Sequence, residues 1–376
     1  LAVDWLDGCA HYGQNQEALK WTFVATPFIL PTGNPRGGPC LQFRSPCLIT
    51  RKHEQSFIWG WRYQTTASQQ NTGGTIYSFC HAGTTLGGLR VEADNTLTIF
   101  GGNGIVIGAA GGGANTQNTG NPNLLMSGQA PFAMQANTWY WFEMMVSLSG
   151  GGTADVQVTI TFRVNTQQLL TGSVDSGIPA DTLLLQTPTA NLHIFQGSAG
   201  NFPSNGCDFV YIRNDGAGLI NTYPGDTQVG PYVLPNSDQT IQWNATGTPQ
   251  YSQINEVPPT EDITYIDQQP SGITVDNPVG TPGQIDSFLF QPLSATIGTI
   301  LAVQILAFNR KDNEGTREFT FTVSDVVPTG NDEPPTFYPS DSYIYSSMCW
   351  DNDPDTQAAW TIPGFNAKKF GVIIVA

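Results

Sequence analysis

Asp155-Val156-Gln157-Val158-Thr159-Ile160-Thr161-Phe162-Arg163-Val164-Asn165 decides the fold class of this chain. Val156, Val158, Ile160, Phe162 and Val164 alternate with Asp155, Gln157, Thr159, Thr161, Arg163 and Asn165 without a break. A strand turns successive side chains to opposite faces, so this alternation separates an apolar face that packs on a core from a polar face toward water. Residues 139–148 repeat the pattern, with Tyr140, Phe142, Met144, Val146 and Leu148 on one face. The other face holds Trp139, Trp141, Glu143, Met145 and Ser147, so it too is expected to be partly covered. Ser149-Gly150-Gly151-Gly152-Thr153 between these two strands reads as a hairpin loop. Residues 89–91 and 97–100 flank Ala93-Asp94-Asn95-Thr96, a second hairpin, because Asp and Asn tolerate turn geometry. Residues 56–63, 75–80, 191–196 and 208–212 read as further strands. Many short antiparallel strands with almost no helical periodicity predict a β-sandwich over residues 1–216. The Gly/Asn-rich stretch 101–128 is expected to be a long surface loop or a flap.

Composition points the same way. Of 376 residues only 12% are Asp, Glu, Lys or Arg, about half the usual ~25% of soluble domains. Thr, Gln, Asn and Ser carry the polar faces, and 41 Gly and 26 Pro supply turns. Such a body suits packing against other proteins. The net charge is −16 and the 14 basic residues are scattered. Nucleic acid and anionic membranes, which need clustered Lys and Arg, are not expected partners. The chain does not open with a basic region and an apolar run, so no signal peptide is read, although a leader could have been removed before Leu1. The length predicts two domains. The texture changes near Asn214-Asp215-Gly216, and Pro residues thicken beyond it, so a boundary is placed at 216–228, with a second, smaller β-sandwich over 217–376. Strands are expected there at 240–244, 263–266, 287–290, 297–308, 317–326, 342–348 and 371–375. Residues 297–308 are apolar on both faces, which predicts a central, buried strand.

Six Cys, at positions 9, 40, 47, 80, 207 and 349, are irregularly spaced in a chain large enough to fold without staples, and buried free thiols are the favoured reading over a disulfide framework. Paired catalytic carboxylates on one strand face are missing: Glu143 stands alone, and Glu92 and Asp94 run into a turn. Glycoside hydrolysis needs such a pair, so no catalytic residue is nominated and the chain is read as not being an enzyme. Cys9-Ala10-His11 and Cys80-His81 lack zinc-site spacing, and His53-Glu54 has no second His four residues on. Asp351, Asp353 and Asp355 stand at positions one, three and five of a calcium-type loop, and are the only candidate metal ligands. Thr356 replaces the sixth-position Gly and Ile362 the twelfth-position Glu, so the competing reading is a solvated turn, and no cofactor other than calcium is considered. Trp59/Trp61 and Trp139/Trp141 are i, i+2 pairs. Facing solvent, they would form a platform on which a glycan stacks; the favoured alternative is packing under the second sheet or domain.

Two stretches carry a resemblance. Asp4-Trp5-Leu6-Asp7-Gly8-Cys9-Ala10-His11-Tyr12-Gly13 resembles the opening segment of tailed-bacteriophage virion structural proteins that begin with a concanavalin A-like lectin/glucanase sandwich. Asp208-Phe209-Val210-Tyr211-Ile212-Arg213-Asn214-Asp215-Gly216, followed by Tyr223-Pro224-Gly225-Asp226-Thr227-Gln228-Val229, is similar to their junction with a second β module. Asp353-Pro354-Asp355-Thr356-Gln357-Ala358-Ala359-Trp360-Thr361 and Phe370-Gly371-Val372 look like that module's close. Trp5 stands where Phe or Tyr is more usual, and residues 245–285 have no match. The resemblance implies a structural part of a virion assembled in bacterial cytoplasm: capsid decoration, head fibre or tail component. Its partners would be other virion proteins and further copies of itself, with outward display for host attachment. The rival expectations are a glycan-binding adhesin and a polysaccharide-degrading enzyme.

Overall fold

The structure is a computed structural model that describes residues 3–9, 12, 22–23, 28–30, 33–36, 38–43, 47–50, 56–65, 74–81, 84–91, 97–101, 106–110, 134–149, 155–179, 191–195, 204–213, 222–230, 233–245, 249–254, 266–267, 283–295, 298–311, 317–326 and 336–375. In chain order the first strands are β1 (Val3–Asp7), β2 (Thr22–Phe23), β3 (Phe28–Leu30), β4 (Cys40–Phe43), β5 (Cys47–Thr50), β6 (Ser56–Thr65), β7 (Gly74–His81) and β8 (Thr84–Val91). They continue as β9 (Leu97–Gly101), β10 (Val106–Ala110), β11 (Trp139–Ser149), β12 (Asp155–Val164), β13 (Gln167–Pro179), β14 (Asn191–Phe195) and β15 (Ser204–Arg213). After these come β16 (Pro235–Ile241), β17 (Asn244–Ala245), β18 (Ile266–Asp267), β19 (Ile285–Phe290), β20 (Val303–Asn309), β21 (Phe319–Val323), β22 (Ile344–Trp350) and β23 (Lys369–Ile374), with one helix, α1 (Ile362–Ala367).

Strands β1 to β15 form two antiparallel sheets. One runs β13-β12-β11-β6-β15-β4-β3, with β1 also paired to β15; the other runs β10-β9-β8-β7-β14-β5-β2. This is the jelly-roll sandwich expected of a concanavalin A-like body. In β12, Val156, Val158, Ile160, Phe162 and Val164 are buried while Gln157 is exposed. The inward residues of β11 and β12 meet Ile76, Tyr77, Phe79, Leu86, Leu89, Leu97 and Ile99 from the second sheet in one core. Aromatic rings dominate it. Phe142 touches Trp61, Tyr63, Tyr140 and Phe162 at centroid separations of 5.5, 5.5, 6.2 and 5.2 Å. Each such ring removes a large apolar area from water, worth ~1.5–3 kcal/mol. The segment expected as a loop or flap begins instead with strand β10, antiparallel to β9; residues 111–128 lie outside the described residues. So do 214–221, where the texture of the sequence changes.

The later strands build a smaller sandwich. A sheet ordered β16-β19-β23-β21 faces the ribbon β20-β22, and β17 pairs with β18. Phe319, Phe321, Val323 and Phe370 from the sheet meet Val303, Met348 and Trp350 from the ribbon, with Trp360 and Phe365 closing the core. Thr361 caps α1, its side chain accepting from Gly364 N at 3.0 Å.

Residues 297–308 were expected to form a central strand, and here the structure differs. β20 pairs with β22 alone among the described residues. One face of β20, Val303, Ile305 and Ala307, packs on the smaller core. The opposite face turns toward the first sandwich, where Gln304 Oε1 accepts from Leu6 N at 2.8 Å and from Cys349 Sγ at 3.1 Å. The Tyr345 ring, on that same face of the paired strand, meets Tyr12 edge-on at 6.0 Å. A ribbon covered on both sides by two bodies has the same apolar pattern as a strand in mid-sheet, so composition does not distinguish them.

In the smaller sandwich Asp286 is wholly buried. Its Oδ1 accepts from Gln242 N at 2.6 Å and Trp243 N at 2.8 Å, and its Oδ2 finds no donor among the described residues. Burial, with Asp238 nearby adding repulsion, pushes this carboxyl up to about 6, against the two backbone amides. The folded chain thus holds the proton more tightly than the unfolded one. The stabilisation is complete below about 4 and is lost as pH rises through the folded value. Asp286→Asn keeps an acceptor for both amides, so the difference in urea-unfolding stability between wild type and this variant should shift against wild type by ~2–3 kcal/mol between about pH 4 and pH 7. Phe142→Ala should lower stability by about 3–5 kcal/mol in the same measurement, because a cavity remains between two fixed sheets.

Candidate functional site

The outward face of the first sheet carries charges where the alternation places them. Arg62 on β6 lies opposite Trp141 on β11, and Glu143 lies opposite Arg163 on β12. The Arg62 guanidinium stands 5.7 Å from the centre of the Trp141 ring. Gly60 makes room for that ring: a Cβ there would lie 2.9 Å from Trp141 Cζ2. On β15 the ladder with β6 shifts register between Cys207 and Val210, and Asp208, in that bulge, has φ +54°. The bulge turns the Asp208 carboxylate toward Arg62, whose Nε donates to Oδ2 at 3.0 Å.

Residues 222–230 cross this face as an extended strap. Gly225 N donates to Glu143 Oε1 at 2.7 Å, and Val229 N donates to Asp208 Oδ1 at 3.0 Å. Asp226 accepts from Arg62 Nη2 and, at 3.4 Å, from Arg36 Nη2. Tyr223 donates its hydroxyl to Thr161 O at 3.3 Å, and the Arg163 guanidinium lies 4.4 Å over its ring. Gly225 takes φ +76°, a left-handed value suited to glycine. Beneath the strap, Ile58, Trp141, Val210, Ile212 and Cys349 form an apolar cluster that Leu6, Met145, Tyr223, Val229 and Ala302 cover. The N-terminal motif adds its own contact. Gly8 lies so close to the strap that a Cβ would stand 2.3 Å from Val229 O. Asp7 accepts from Cys9 N at 2.8 Å and from the Tyr12 hydroxyl.

Glu143 and Asp208 are at most 1% exposed. Burial pushes the Glu143 carboxyl up, against the Gly225 amide, the Trp141 indole and Arg163. Burial likewise raises Asp208, against the Val229 amide and Arg62. In chemical terms the arrangement is a lock: backbone amides of the strap, aligned on two carboxylates held by two arginines.

The glycan platform, the less favoured reading of these pairs, does not form. Trp59 and Trp61 are fully buried, and stack or tilt on Tyr77 at 5.9 and 5.5 Å within the inter-sheet core. Trp141 is buried under the strap, and Trp139, half-buried, packs at the margin of the inter-sheet core. Three of the four rings therefore offer no face to a sugar, and Trp139 and Trp141 belong to different clusters.

The calcium reading is corrected as well. Asp351 and Asp353 are buried and Asp355 is exposed. Lys368 Nζ lies 3.0 Å from Asp353 Oδ1 and 2.5 Å from Asp355 Oδ2, so an internal ammonium stands where the cation was expected. Desolvation raises the Asp355 carboxyl, but Lys368 and Ser324 more than offset this and hold it below the ordinary range. Asp353 Oδ1 also accepts from Asp355 N at 3.0 Å, as in an Asx turn. Among the described residues no three His, Cys, Asp or Glu are grouped to hold a metal ion. Cys9, Cys40, Cys207 and Cys349 are buried and in no disulfide; the Cys47 and Cys80 side chains and His11 lie outside the described residues.

Sequence reasoning did not nominate Arg62, Glu143, Arg163 or Asp208. Their signal was available: in a chain only 12% charged, each sits inside a strand.

No family model matches the chain, and no curated protein does. Solved structures are similar to it. The PL-14 alginate lyase from Aplysia kurodai shows 11% identity and a TM-score of 0.37 over 57% of this chain and 100% of that one. Alginate lyase vAL-1 from Chlorella virus shows 9% and 0.35 over 54% and 99%. An engineered GH43 glycoside hydrolase shows 10% and 0.36 over 57% and 41%. The likeness is one of β-sandwich fold alone. All three are enzymes, so the expectation that this chain is not an enzyme does not stand; the missing carboxylate pair bears on glycoside hydrolysis alone.

Arg62→Met leaves Asp208 buried without its counter-charge. The variant should lose about 3–5 kcal/mol of stability in calorimetry, and limited proteolysis should cut within 222–230 at protease levels that spare the wild type.

Proposed function

We propose that this protein works through protein–protein contact, as a structural component of a tailed-phage virion, with the sandwich available for outward display. The observation that carries the reading is the polar face of β12 and β13. Thr159 Oγ1 and Ser173 Oγ lie 2.7 Å apart, and Thr161 Oγ1 and Thr171 Oγ1 lie 3.0 Å apart, as hydroxyl pairs rung by rung across the two strands. Gln157 stands exposed beside them, opposite Asp175 in the ladder. Short hydroxyl side chains already paired to each other lose little rotamer freedom when a partner covers them. The centres of protein interfaces are depleted in charge, which fits a face built from Thr, Ser and Gln.

The setting comes from the resemblance of Asp4–Gly13 and of Asp208–Val229 to virion proteins. Residues of those motifs hold the strap: Gly8, Asp208, Gly225, Asp226 and Val229 all take part. Fixing the smaller sandwich against the first suits a part that must present two surfaces at a set angle. Among the described residues no helix is long and apolar enough to cross a membrane.

Peptide mass spectrometry of particles purified from the phage that encodes the chain tests this. The expected result is the protein in constant ratio to a major shell or tail protein after a high-salt wash. Its absence from washed particles overturns the proposal. Thr159→Lys together with Thr161→Lys, set on the polar face, should leave the fold intact by circular dichroism and reduce incorporation at least tenfold.

A further inference from the structure

Three thiols meet where two strands abut. β15 uses one edge for two partners in succession: Ser204, Asn205 and Gly206 pair with Phe43, Gln42 and Leu41 of β4, and Phe209, Val210, Tyr211 and Ile212 pair with β1. Cys207 lies at the change of partner. Continuing the β4 register one step sets Cys207 across from Cys40. Cys9, two residues past the end of β1, lies in the same core cluster, close enough to Cys207 and Cys40 for both to raise its thiol. All three residues belong to the same inter-sheet core and are at most 1% exposed. All three are free.

Residues directly opposite in antiparallel sheets have Cα atoms about 4.5–5.5 Å apart. That lies within the roughly 4.4–6.8 Å range that disulfides span. The local backbone is already turned: Cys9 has φ +63° and Asp208 φ +54°.

We propose that this seam is a disulfide-forming site in which Cys207 joins either Cys9 or Cys40. Joining Cys9 ties the segment after β1 to β15; joining Cys40 ties the start of β4 to it. In either case two S–H bonds break and one S–S bond forms. The two hydrogens and their electrons pass to a thiol oxidant of the diazene class, whose N=N bond becomes a hydrazine. Burial pushes the three thiols up, Cys40 to about 12, and Asp7 and Asp208 add to this at Cys9 and Asp208 at Cys207. The thiolate is the reacting form, so the seam stays reduced until a local opening admits solvent, and oxidation is slow in the closed fold.

The test incubates the full folded chain with diamide, followed by intact mass and non-reducing peptide mapping. The expected product has lost two hydrogens, carries a Cys9–Cys207 or Cys40–Cys207 link, and retains Cys349 as a thiol. Cys9→Ser should direct the link wholly to Cys40, and Cys40→Ser wholly to Cys9, each at no less than half the wild-type yield. Cys207→Ser should abolish both links. Two results overturn the proposal: links that omit Cys207 in the wild type, or no Cys207 link in either single variant when circular dichroism shows both folded. A chain that oxidises in urea but forms no Cys207 link when folded also overturns it.

Discussion

Arg62 is the charge on which the joining of the two sandwiches depends. Its guanidinium lies against Trp141, donates to buried Asp208 and reaches Asp226 on the strap. Removing an ion pair from water carries a desolvation penalty of several kcal/mol per ion, which the mutual attraction offsets only when geometry and further hydrogen bonds are good. Here the further bonds exist. The carboxylates of Asp208 and Glu143 receive backbone amides from Val229 and Gly225. The net stabilisation from such a network is small, but its selectivity is large. A strap shifted by one residue would take the Val229 and Gly225 amides away from two buried carboxylates that keep their arginines, and each unmade bond of that kind carries a penalty of ~1–3 kcal/mol or more. Charge therefore sets the register of the junction, and the apolar cluster around Ile58, Val210 and Ile212 supplies the adhesion.

The ribbon β20-β22 extends the same junction. Its two faces belong to two cores, and Gln304 is the polar residue at the centre. One side-chain oxygen accepts both the Leu6 amide of β1 and the Cys349 thiol of β22. With Tyr345 on Tyr12, this links the first strand of the chain to one near its end. The described residues of the motifs behind the virion resemblance, 4–9, 12, 208–213 and 223–229, meet in this region although some 200 residues separate them in sequence. Their common use here is to hold the strap.

Much of the first sandwich was legible in sequence, because one strand face toward water and one toward a core leave a period of two. Residues 155–164 show this, while 139–149 and 56–65 keep the alternation of residue types although most of both faces is buried; all three fall within two residues of the expected bounds. The charges of the candidate site stood out inside strands, but their pairing was not legible. Trp59 and Trp61 have the spacing of a sugar platform, but that spacing also serves a core ladder against Tyr77, and only the opposing sheet decides between them. Asp351, Asp353 and Asp355 have the spacing of cation ligands, but Lys368, 13 residues beyond Asp355, supplies the cation. Arg62 and Asp208 are separated by 146 positions, and no local pattern joins them.

Taken alone, the sequence determined that this is an all-β protein of low charge in which β11 pairs with β12 and β8 with β9, because pleat alternation and turn chemistry are local. The tertiary structure decided which apolar faces meet which. It made the run at 303–309 a ribbon between two cores, sealed Trp141 beneath a strap, and brought Cys9, Cys40 and Cys207 to one seam. Those outcomes depend on pairings between distant strands, whose energies come from surfaces and charges removed from water together, and a stretch of chain carries no record of what will cover it.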